Sequence, residues 1–142
     1  MSINPTCLGC RLANQLSKVN VIYEDDNVCA ILDHDPFNEG HILILPKNHV
    51  VELDELNYEV ANAIMLASMK LSKIIKKVLK PNGITICQNG GKFNDLTHYH
   101  MHVIPRFQGQ RFYYEEESNL LKEQQDFSET QRKLIEAINE LV

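Results

Sequence analysis

Three histidines alternate with other residues at His98, His100 and His102. Successive side chains of an extended strand point to opposite faces, so this spacing predicts a strand with all three imidazoles on one face. Tyr99 and Met101 then belong to the opposite, apolar face. Imidazole titrates near neutral pH, and a row of three can supply a nucleophile, proton carriers or metal ligands. Which of these roles applies determines the function.

The histidine row has three interpretations. A single histidine is usually a surface residue or a hydrogen-bonded core residue, but strict alternation beside apolar residues makes that explanation poor for three together. Imidazoles on one strand face can bind a metal ion such as zinc. Neutral imidazole can also attack phosphorus when its far nitrogen is held as N–H, while neighbouring imidazoles bind oxygens and move protons. The row by itself leaves the metal and the nucleophile open.

Hydrophobic patterning predicts about five strands. The first two form a hairpin around a turn at 24–27, and the third is stopped by Pro46. Two more follow, one at 84–87 and one along the histidine row. Strands that come mainly in neighbouring pairs favour a single antiparallel sheet, so the predicted class is α+β with one long helix and a C-terminal helix.

The two helices are predicted from apolar residues at helical spacing. The long helix starts at Asp54, which can cap it, and ends at a Pro-Asn-Gly turn. The C-terminal helix has a capping box formed by Ser128 and Gln131. Its apolar stripe consists of Leu134, Ile135, Ile138 and Leu141. We predict one domain over 1–142, in which a C-terminal extension and helix occupy about 107–142.

Charge and hydropathy argue against several classes of partner. Fourteen Lys and Arg against nineteen Asp and Glu give a net charge of −5, which disfavours broad attraction to nucleic acid. No apolar run approaches the roughly 20 residues of a membrane span, and the polar N-terminus lacks a signal-peptide pattern. We therefore predict a cytoplasmic protein with no nucleic-acid or membrane partner, and any anionic substrate must be held by local groups.

The four cysteines divide into one pair and two single residues. Cys7 and Cys10 form a Cys-x-x-Cys motif, which in a cytosolic chain is half a zinc site or a redox pair. With two distant histidines, the pair would complete a tetrahedral zinc site. Cys29 and Cys87 lie in apolar runs and are predicted to be packing residues.

The segment from His98 to Arg106 resembles the signature of the histidine triad family, a family of nucleotide hydrolases and transferases. Upstream, Leu32-Asp33 and the segment from Gly40 to His49 resemble that family's other diagnostic region, and Asn89-Gly90-Gly91 resembles its phosphate-side loop. The similarity extends from about Cys7 to Arg106. An alternating triplet alone is only moderately specific, but three segments in this order are strongly so.

The resemblance implies catalytic roles for three histidines. His100 is the expected nucleophile, forming a nucleotidyl-histidine intermediate that water then hydrolyses. His102 is expected to contact the α-phosphate, and His41 to complete the cluster. The expected substrate is a purine nucleoside monophosphate joined to an amine or a phosphate leaving group. A dinucleoside polyphosphate hydrolase and a non-catalytic nucleotide-binding or metal-binding module are the alternatives.

The resemblance also implies nucleotide-binding residues, and two of them depart from the family pattern. Asp33 is expected to accept hydrogen bonds from both ribose hydroxyls, and Asn89 to approach the phosphate or the leaving group. His34 replaces a common aliphatic residue beside the base, which bears on base preference. Asp95 follows Asn94 where relatives often carry Gln and a small hydroxyl or acidic residue. Its charge would suit a leaving amine and repel a pyrophosphate.

A metal site and a homodimer complete what the resemblance implies. In the bacterial zinc-containing branch of the family, a Cys-x-x-Cys pair joins two histidines. The matching residues of this chain are Cys7, Cys10, His49 and His98, which predicts a structural Cys2His2 zinc site. His98 is then a metal ligand beside the nucleophile. The triad itself remains an alternative zinc site, with a catalytic metal.

Overall fold

Five antiparallel strands form one sheet in the order β1-β2-β3-β5-β4. The strands are β1 (Val21–Glu24), β2 (Val28–Leu32), β3 (Ile42–Pro46), β4 (Gly83–Cys87) and β5 (Met101–Arg106). These bounds come from a computed structural model, which describes residues 3–112 and 127–141. The predicted sheet is confirmed. β3 ends one residue further than expected, at Pro46, which pairs with Val28. Proline is tolerated there because the last position of a strand does not need its N–H for the ladder.

Two compact units divide the chain, residues 1–110 and residues 111–142. The first contains the sheet with α1 (Leu8–Ala13) and α2 (Tyr58–Leu79), and the second contains α3 (Phe127–Asn139). The predicted C-terminal extension is described only in part, because 113–126 lie outside the described residues. No helix among the described residues is long and apolar enough to cross a membrane.

The two faces of the sheet carry separate apolar clusters. On one face, α2 packs its buried stripe, including Ile64 and Leu71, against residues such as Ile44 and Val103. On the other face, a smaller cluster includes Ala13 of α1. Since α1 has only six residues, it covers that second face in part and leaves room for a cleft.

The long helix begins later than its sequence pattern predicts. Asp54 lies in a short 3-10 turn, Leu53–Glu55, and extended backbone at Leu56 separates this turn from α2. Asn57 is the true cap, because its Oδ1 accepts a hydrogen bond from the Val60 amide at 2.8 Å. The prediction that Asp54 caps the helix is therefore wrong.

The histidine row lies only partly on a strand. β5 begins at Met101, so of the three histidines only His102 takes part in the ladder. His98 and His100 precede it, in a segment where Thr97 has a positive φ of 50° and the Tyr99 amide bonds to the Val50 carbonyl. The prediction of one regular strand through all three histidines is thus wrong for the first two. The predicted division of faces is confirmed, because Tyr99, Met101 and Val103 pack in the α2 cluster while the three histidines face the α1 side.

The C-terminal helix is present, but its predicted cap is wrong. Because α3 begins at Phe127, Ser128 lies inside the helix and is not its cap. The residue before Phe127 lies outside the described residues. Of the predicted apolar stripe, Leu134, Ile135 and Ile138 lie on the helix, whereas Leu141 lies beyond its last residue, and all four are exposed.

Candidate active site and metal centre

A cleft of about 670 Å³ opens on the sheet face that α1 partly covers. Its polar lining includes Asp33, His34, His41, Asp95, His100 and His102. Its apolar wall includes Leu8, Leu12, Val19, Ile31, Leu43 and Leu96. A cavity with one apolar wall and a few convergent polar groups is typical of a small-molecule site. The structure thus brings six of the predicted substrate-site residues to a single cleft.

His100 presents an unprotonated nitrogen to this cleft. Its Nδ1 lies 2.8 Å from the backbone oxygen of His98. Because a carbonyl oxygen only accepts hydrogen bonds, Nδ1 carries the proton and Nε2 of the neutral ring keeps its lone pair. The side chain is 3% exposed, so the surrounding structure fixes the ring in this orientation. Nε2 also lies 3.7 Å from the Asp95 carboxylate, which is itself exposed.

His41 and His102 carry their protons on Nε2, whereas His100 carries its proton on Nδ1. The Phe37 amide donates to His41 Nδ1 at 2.9 Å, so neutral His41 carries its proton on Nε2. That nitrogen lies 2.9 Å from His102 Nδ1 and donates to it. Neutral His102 must then carry its own proton on Nε2. The cleft therefore holds a lone pair on His100 and a hydrogen-bond donor on His102, with ring centroids 4.9 Å apart.

Burial keeps the imidazole rings of His41 and His102 neutral. Desolvation, helped by His100 and His41, lowers the pKa of His102 to about 4. Desolvation also lowers the pKa of His41, although the carboxylates of Asp33 and Asp35 oppose it. Near neutral pH both rings are therefore uncharged, and the tautomers that their hydrogen bonds select are the relevant species.

We expect His102 to make the protein less stable as the pH falls. Between about pH 6.5 and its folded pKa of about 4, the unfolded chain binds a proton here that the native protein does not. The free energy of unfolding should thus fall by about 1.4 kcal/mol per pH unit from this residue. Urea unfolding of wild type and His102→Asn at about pH 7 and about pH 5.5 measures the difference. Equal pH dependence in the two proteins would contradict the expectation.

Asp33 lies beside the histidine pair. Its Oδ1 accepts the Asp35 amide at 2.9 Å, and its Oδ2 lies 3.5 Å from His41 Nε2. His34 follows at the mouth of the cleft with a side chain that is 98% exposed. Asn89 is exposed and does not line the cleft. The structure therefore groups Asp33 with the histidines and places Asn89 outside this group.

Two cysteines and two histidines converge next to the cleft. The candidate ligand atoms of Cys7, Cys10, His49 and His98 all lie within 4.8 Å of one another. Cys10 Sγ is 3.4 Å from His49 Nδ1 and 3.6 Å from His98 Nδ1. The His98 Nε2 donates to the Pro46 carbonyl at 2.8 Å, so the Nδ1 lone pair faces the sulfurs. Two thiols and two suitably oriented imidazoles fit a tetrahedral zinc ion.

A second cluster, formed by Asp33, His41 and His102, fits a metal less well. Its candidate ligand atoms also lie within 4.8 Å of one another. However, the Phe37 amide occupies the lone pair of His41 Nδ1, which leaves the proton on Nε2. Binding a metal at Nε2 would place two donors, Nδ1–H and the amide, face to face. The hydrogen bonds therefore favour a proton network at this cluster over a metal ion.

Gly9 is a site residue that the sequence interpretation missed. It lies inside the Cys-x-x-Cys motif, and a Cβ added there would be 2.2 Å from His98 Cβ and 2.3 Å from its Cγ. Only glycine lets α1 approach the buried histidine this closely. The apolar wall and the Phe37 amide were also missed. No sequence pattern identifies a backbone donor, but the small residue between the cysteines was a usable signal.

A family model describing the HIT domain matches residues 14–109, most of the chain. The chain belongs to the histidine triad (HIT) family. Members of this family generally bind or hydrolyse nucleotides. A HIT-like protein of Methanocaldococcus jannaschii is 34% identical over 105 residues, which cover 72% of this HIT protein and 81% of that one. The protein hit of Bacillus subtilis is also 34% identical, over 71% of each chain.

Solved structures agree with this assignment. A HIT family protein from Bacillus anthracis superimposes with a TM-score of 0.82 at 26% identity, covering 96% of this HIT protein and 97% of that chain. A Zn-bound histidine triad family protein from Mycobacterium smegmatis gives a TM-score of 0.71 at 30% identity, covering 80% and 84%. The α+β fold is thus shared with both structures.

Proposed function

We propose that this HIT protein hydrolyses the bond between a purine nucleoside monophosphate and an amine or phosphate leaving group. The observation that supports this most directly is the opposite proton arrangement of His100 and His102. Displacement at phosphorus needs a nucleophile and a hydrogen-bond donor to the phosphate oxygens. The lone pair of His100 supplies the first, and the N–H of His102 supplies the second. Adenosine monophosphate is the nucleotide we take as representative.

The proposed reaction proceeds in two displacements on phosphorus. His100 Nε2 attacks the α-phosphorus, and the leaving group departs with the bonding electrons and takes up a proton. The imidazole ring of the nucleotidyl-histidine that forms is positively charged, and the Nδ1–H bond to the His98 carbonyl stabilises this charge. Water then attacks phosphorus, loses a proton and restores neutral His100. In both steps His102 Nε2–H donates to a non-bridging oxygen, with His41 supporting it.

The nucleoside is proposed to occupy the rest of the cleft. Its base would lie against the apolar wall, and the paired oxygens of Asp33 would accept hydrogen bonds from the ribose hydroxyls. His34, exposed at the mouth, would stack on the base and influence base preference. Asn89 remains proposed as a residue that approaches the phosphate or leaving group once substrate is bound.

Zinc is proposed at the cluster of Cys7, Cys10, His49 and His98. When bound there, the ion cross-links α1 to the segment that carries His98, and its role is structural. The Zn-bound relative from Mycobacterium smegmatis is compatible with this proposal. A homodimer and a cytoplasmic location also remain predictions. Gel filtration with light scattering measures the first.

The proposed function is tested with adenosine 5′-phosphoramidate, a fluorogenic adenylyl amide and diadenosine triphosphate as substrates. Values of kcat/KM for the three rank amine against phosphate leaving groups. We expect release of adenosine monophosphate from the amine-linked substrates, and none from the same mixtures with His100→Ala. Preference for diadenosine triphosphate would instead indicate a dinucleoside polyphosphate hydrolase. No turnover of any of the three, with nucleotide still bound, would support a binding module.

Asp95 is expected to set the preference for an amine leaving group. Its carboxylate is 94% exposed and lies 3.7 Å from the attacking nitrogen, so it would face the departing group. We expect Asp95→Asn to raise kcat/KM for diadenosine triphosphate relative to the phosphoramidate by roughly fivefold to tenfold, because a repulsion between like charges is removed. Asp54→Asn, which removes an exposed carboxylate outside the cleft, is the matched control. An unchanged ratio in Asp95→Asn would exclude this role.

A further inference from the structure

The loop before β3 wraps around His41 with its backbone. The Phe37 amide donates to His41 Nδ1 at 2.9 Å, and the His41 amide donates to the Asn38 carbonyl at 3.1 Å. The first of these bonds selects the tautomer of His41. A displacement of the loop by about 1 Å would break it, because a donor–acceptor distance of about 3.6 Å is already too long for a hydrogen bond.

A pair of side-chain amides holds this loop in place. Asn38 Nδ2 donates to the Pro105 carbonyl at 2.8 Å and to Gln110 Oε1 at 2.9 Å. Gln110 Nε2 donates back to Asn38 Oδ1 at 2.9 Å. Gln110 Oε1 also accepts the Phe107 amide at 3.1 Å. The loop is thereby fastened to the end of β5, the strand that carries His102.

We infer that Asn38 and Gln110 form an amide clamp that positions the Phe37 amide and so determines which nitrogen of His102 carries its proton. The effect on the rate rests on the proposed function, whereas the effect on the tautomers does not. With the clamp intact, protons lie on Nε2 of both His41 and His102. Asn38 and Gln110 are positioning residues, because they act through the loop and touch no reacting atom.

Loss of the Phe37 bond would reverse the chain of donors. His41 could then place its proton on Nδ1 and leave a lone pair on Nε2, facing His102 Nδ1. His102 would respond by donating from Nδ1, since two facing lone pairs repel. Its Nε2 would then present a lone pair to the phosphate oxygens in place of an N–H. A donor that stabilises the transition state would become a repulsive acceptor.

The packing of Phe37 agrees with this arrangement. The Arg106 guanidinium carbon lies 5.6 Å from the centroid of the Phe37 ring, within the range of a cation–π contact. Arg106 is the last residue of β5 and donates to Thr85 Oγ1 at 2.8 Å. The clamp and this contact therefore hold the loop from the same end of the sheet.

The experiment measures tautomers and rates on the full chain. Long-range ¹H–¹⁵N spectra of histidine-labelled protein distinguish Nδ1–H from Nε2–H, with His41→Asn and His102→Asn used to assign the signals. Wild type should show Nε2–H at both residues. Asn38→Ala should show a substantial Nδ1–H population at both, with kcat for the phosphoramidate lowered about tenfold and KM changed less than twofold. A tenfold loss corresponds to about 1.4 kcal/mol.

Two further variants separate positioning from stability. Gln110→Glu keeps the acceptor for Asn38 Nδ2 and the Phe107 amide but loses the Nε2 donor to Asn38 Oδ1, and should shift the tautomers and the rate less than Asn38→Ala does. Asn82→Ala removes a 2.8 Å bond to the Gln108 amide in the same region without touching the loop, and should leave tautomers and kcat unchanged. If Asn38→Ala does not fold, Gln110→Ala removes the reciprocal amide bonds and gives the same test.

The tautomer measurement decides the inference. Wild-type tautomers in Asn38→Ala, or equal tautomer shifts in Asn38→Ala and Asn82→Ala, would overturn it. A wild-type protein that hydrolyses none of the nucleotides would refute the proposed function alone. The spectra of the free protein would still report whether the clamp fixes His41 and His102.

Discussion

His100→Ala is expected to lower kcat/KM for adenosine 5′-phosphoramidate by at least about 10³-fold, because the only lone pair that the three triad histidines direct into the cleft is lost. Neither His41 nor His102 can substitute, since Nε2 of each carries its proton and Nδ1 of each already accepts a hydrogen bond. The wild-type protein, quenched during turnover with denaturant at alkaline pH, where the P–N bond of the intermediate survives, should carry one nucleotidyl group on a peptide containing His100. Mass spectrometry of the digested protein measures it.

His100→Asn controls for the loss of a buried side chain. An asparagine amide can donate to the His98 carbonyl as His100 Nδ1 does, yet it has no nucleophilic nitrogen. We expect this variant to be as inactive as His100→Ala, to melt within a few degrees of wild type and still to bind adenosine monophosphate. Residual activity above about a tenth of wild type in either variant would rule out His100 as the nucleophile.

Gly9→Ala is expected to cost about 3 kcal/mol or more of unfolding free energy and most of the zinc proposed at the cluster that includes His98. The added methyl would overlap the Cβ and ring of His98, which is fully buried and has no room to move. A displaced His98 loses its Nδ1 position facing the two cysteines. Its carbonyl also shifts, and this carbonyl is the acceptor that holds His100. The kcat/KM should therefore fall by more than the loss of folded protein alone explains.

Gly83→Ala is the matched control for that substitution. A Cβ at Gly83 meets nothing within 4 Å, so this variant should be as stable as wild type and keep its zinc. Urea unfolding, zinc content per chain and the rate on the phosphoramidate are the three measurements. If Gly9→Ala matched Gly83→Ala in all three, the close approach of α1 to His98 would have no functional consequence.

The sequence predicted the class of fold because its periodicities are simple. The apolar stripe of α2 and the strand patterns reflect which side chains face the core, and burial follows them. Helix starts were less predictable, since several polar residues near each start can act as caps. Asp54 and Asn57 compete for one helix, and the carboxylate of neighbouring Glu55 accepts amides of the preceding turn. That local bonding gives the cap to Asn57.

The candidate site was predictable as a set of residues. The motifs named Asp33, His41, His100 and His102, which the structure brings together in a cleft. They also named four candidate metal ligands, which converge in an adjacent cluster, and Asn89, which lies in neither. The predicted division of faces is correct, since Tyr99, Met101 and Val103 pack under α2, but the regular strand starts only at Met101, after a bend at residues 95–98. A non-local bond, between the Tyr99 amide and the Val50 carbonyl, accompanies that bend.

By itself, the amino-acid sequence determined which chemical groups are present, their order along the chain and the periodicities that produce an antiparallel sheet with a long helix. Only the tertiary structure decided which nitrogen of each histidine carries its proton. That choice depends on the partner each ring meets: a carbonyl at His98 and Pro46, or an amide at Phe37. Every residue carries both kinds of backbone group, so only folding determines which one faces a given imidazole.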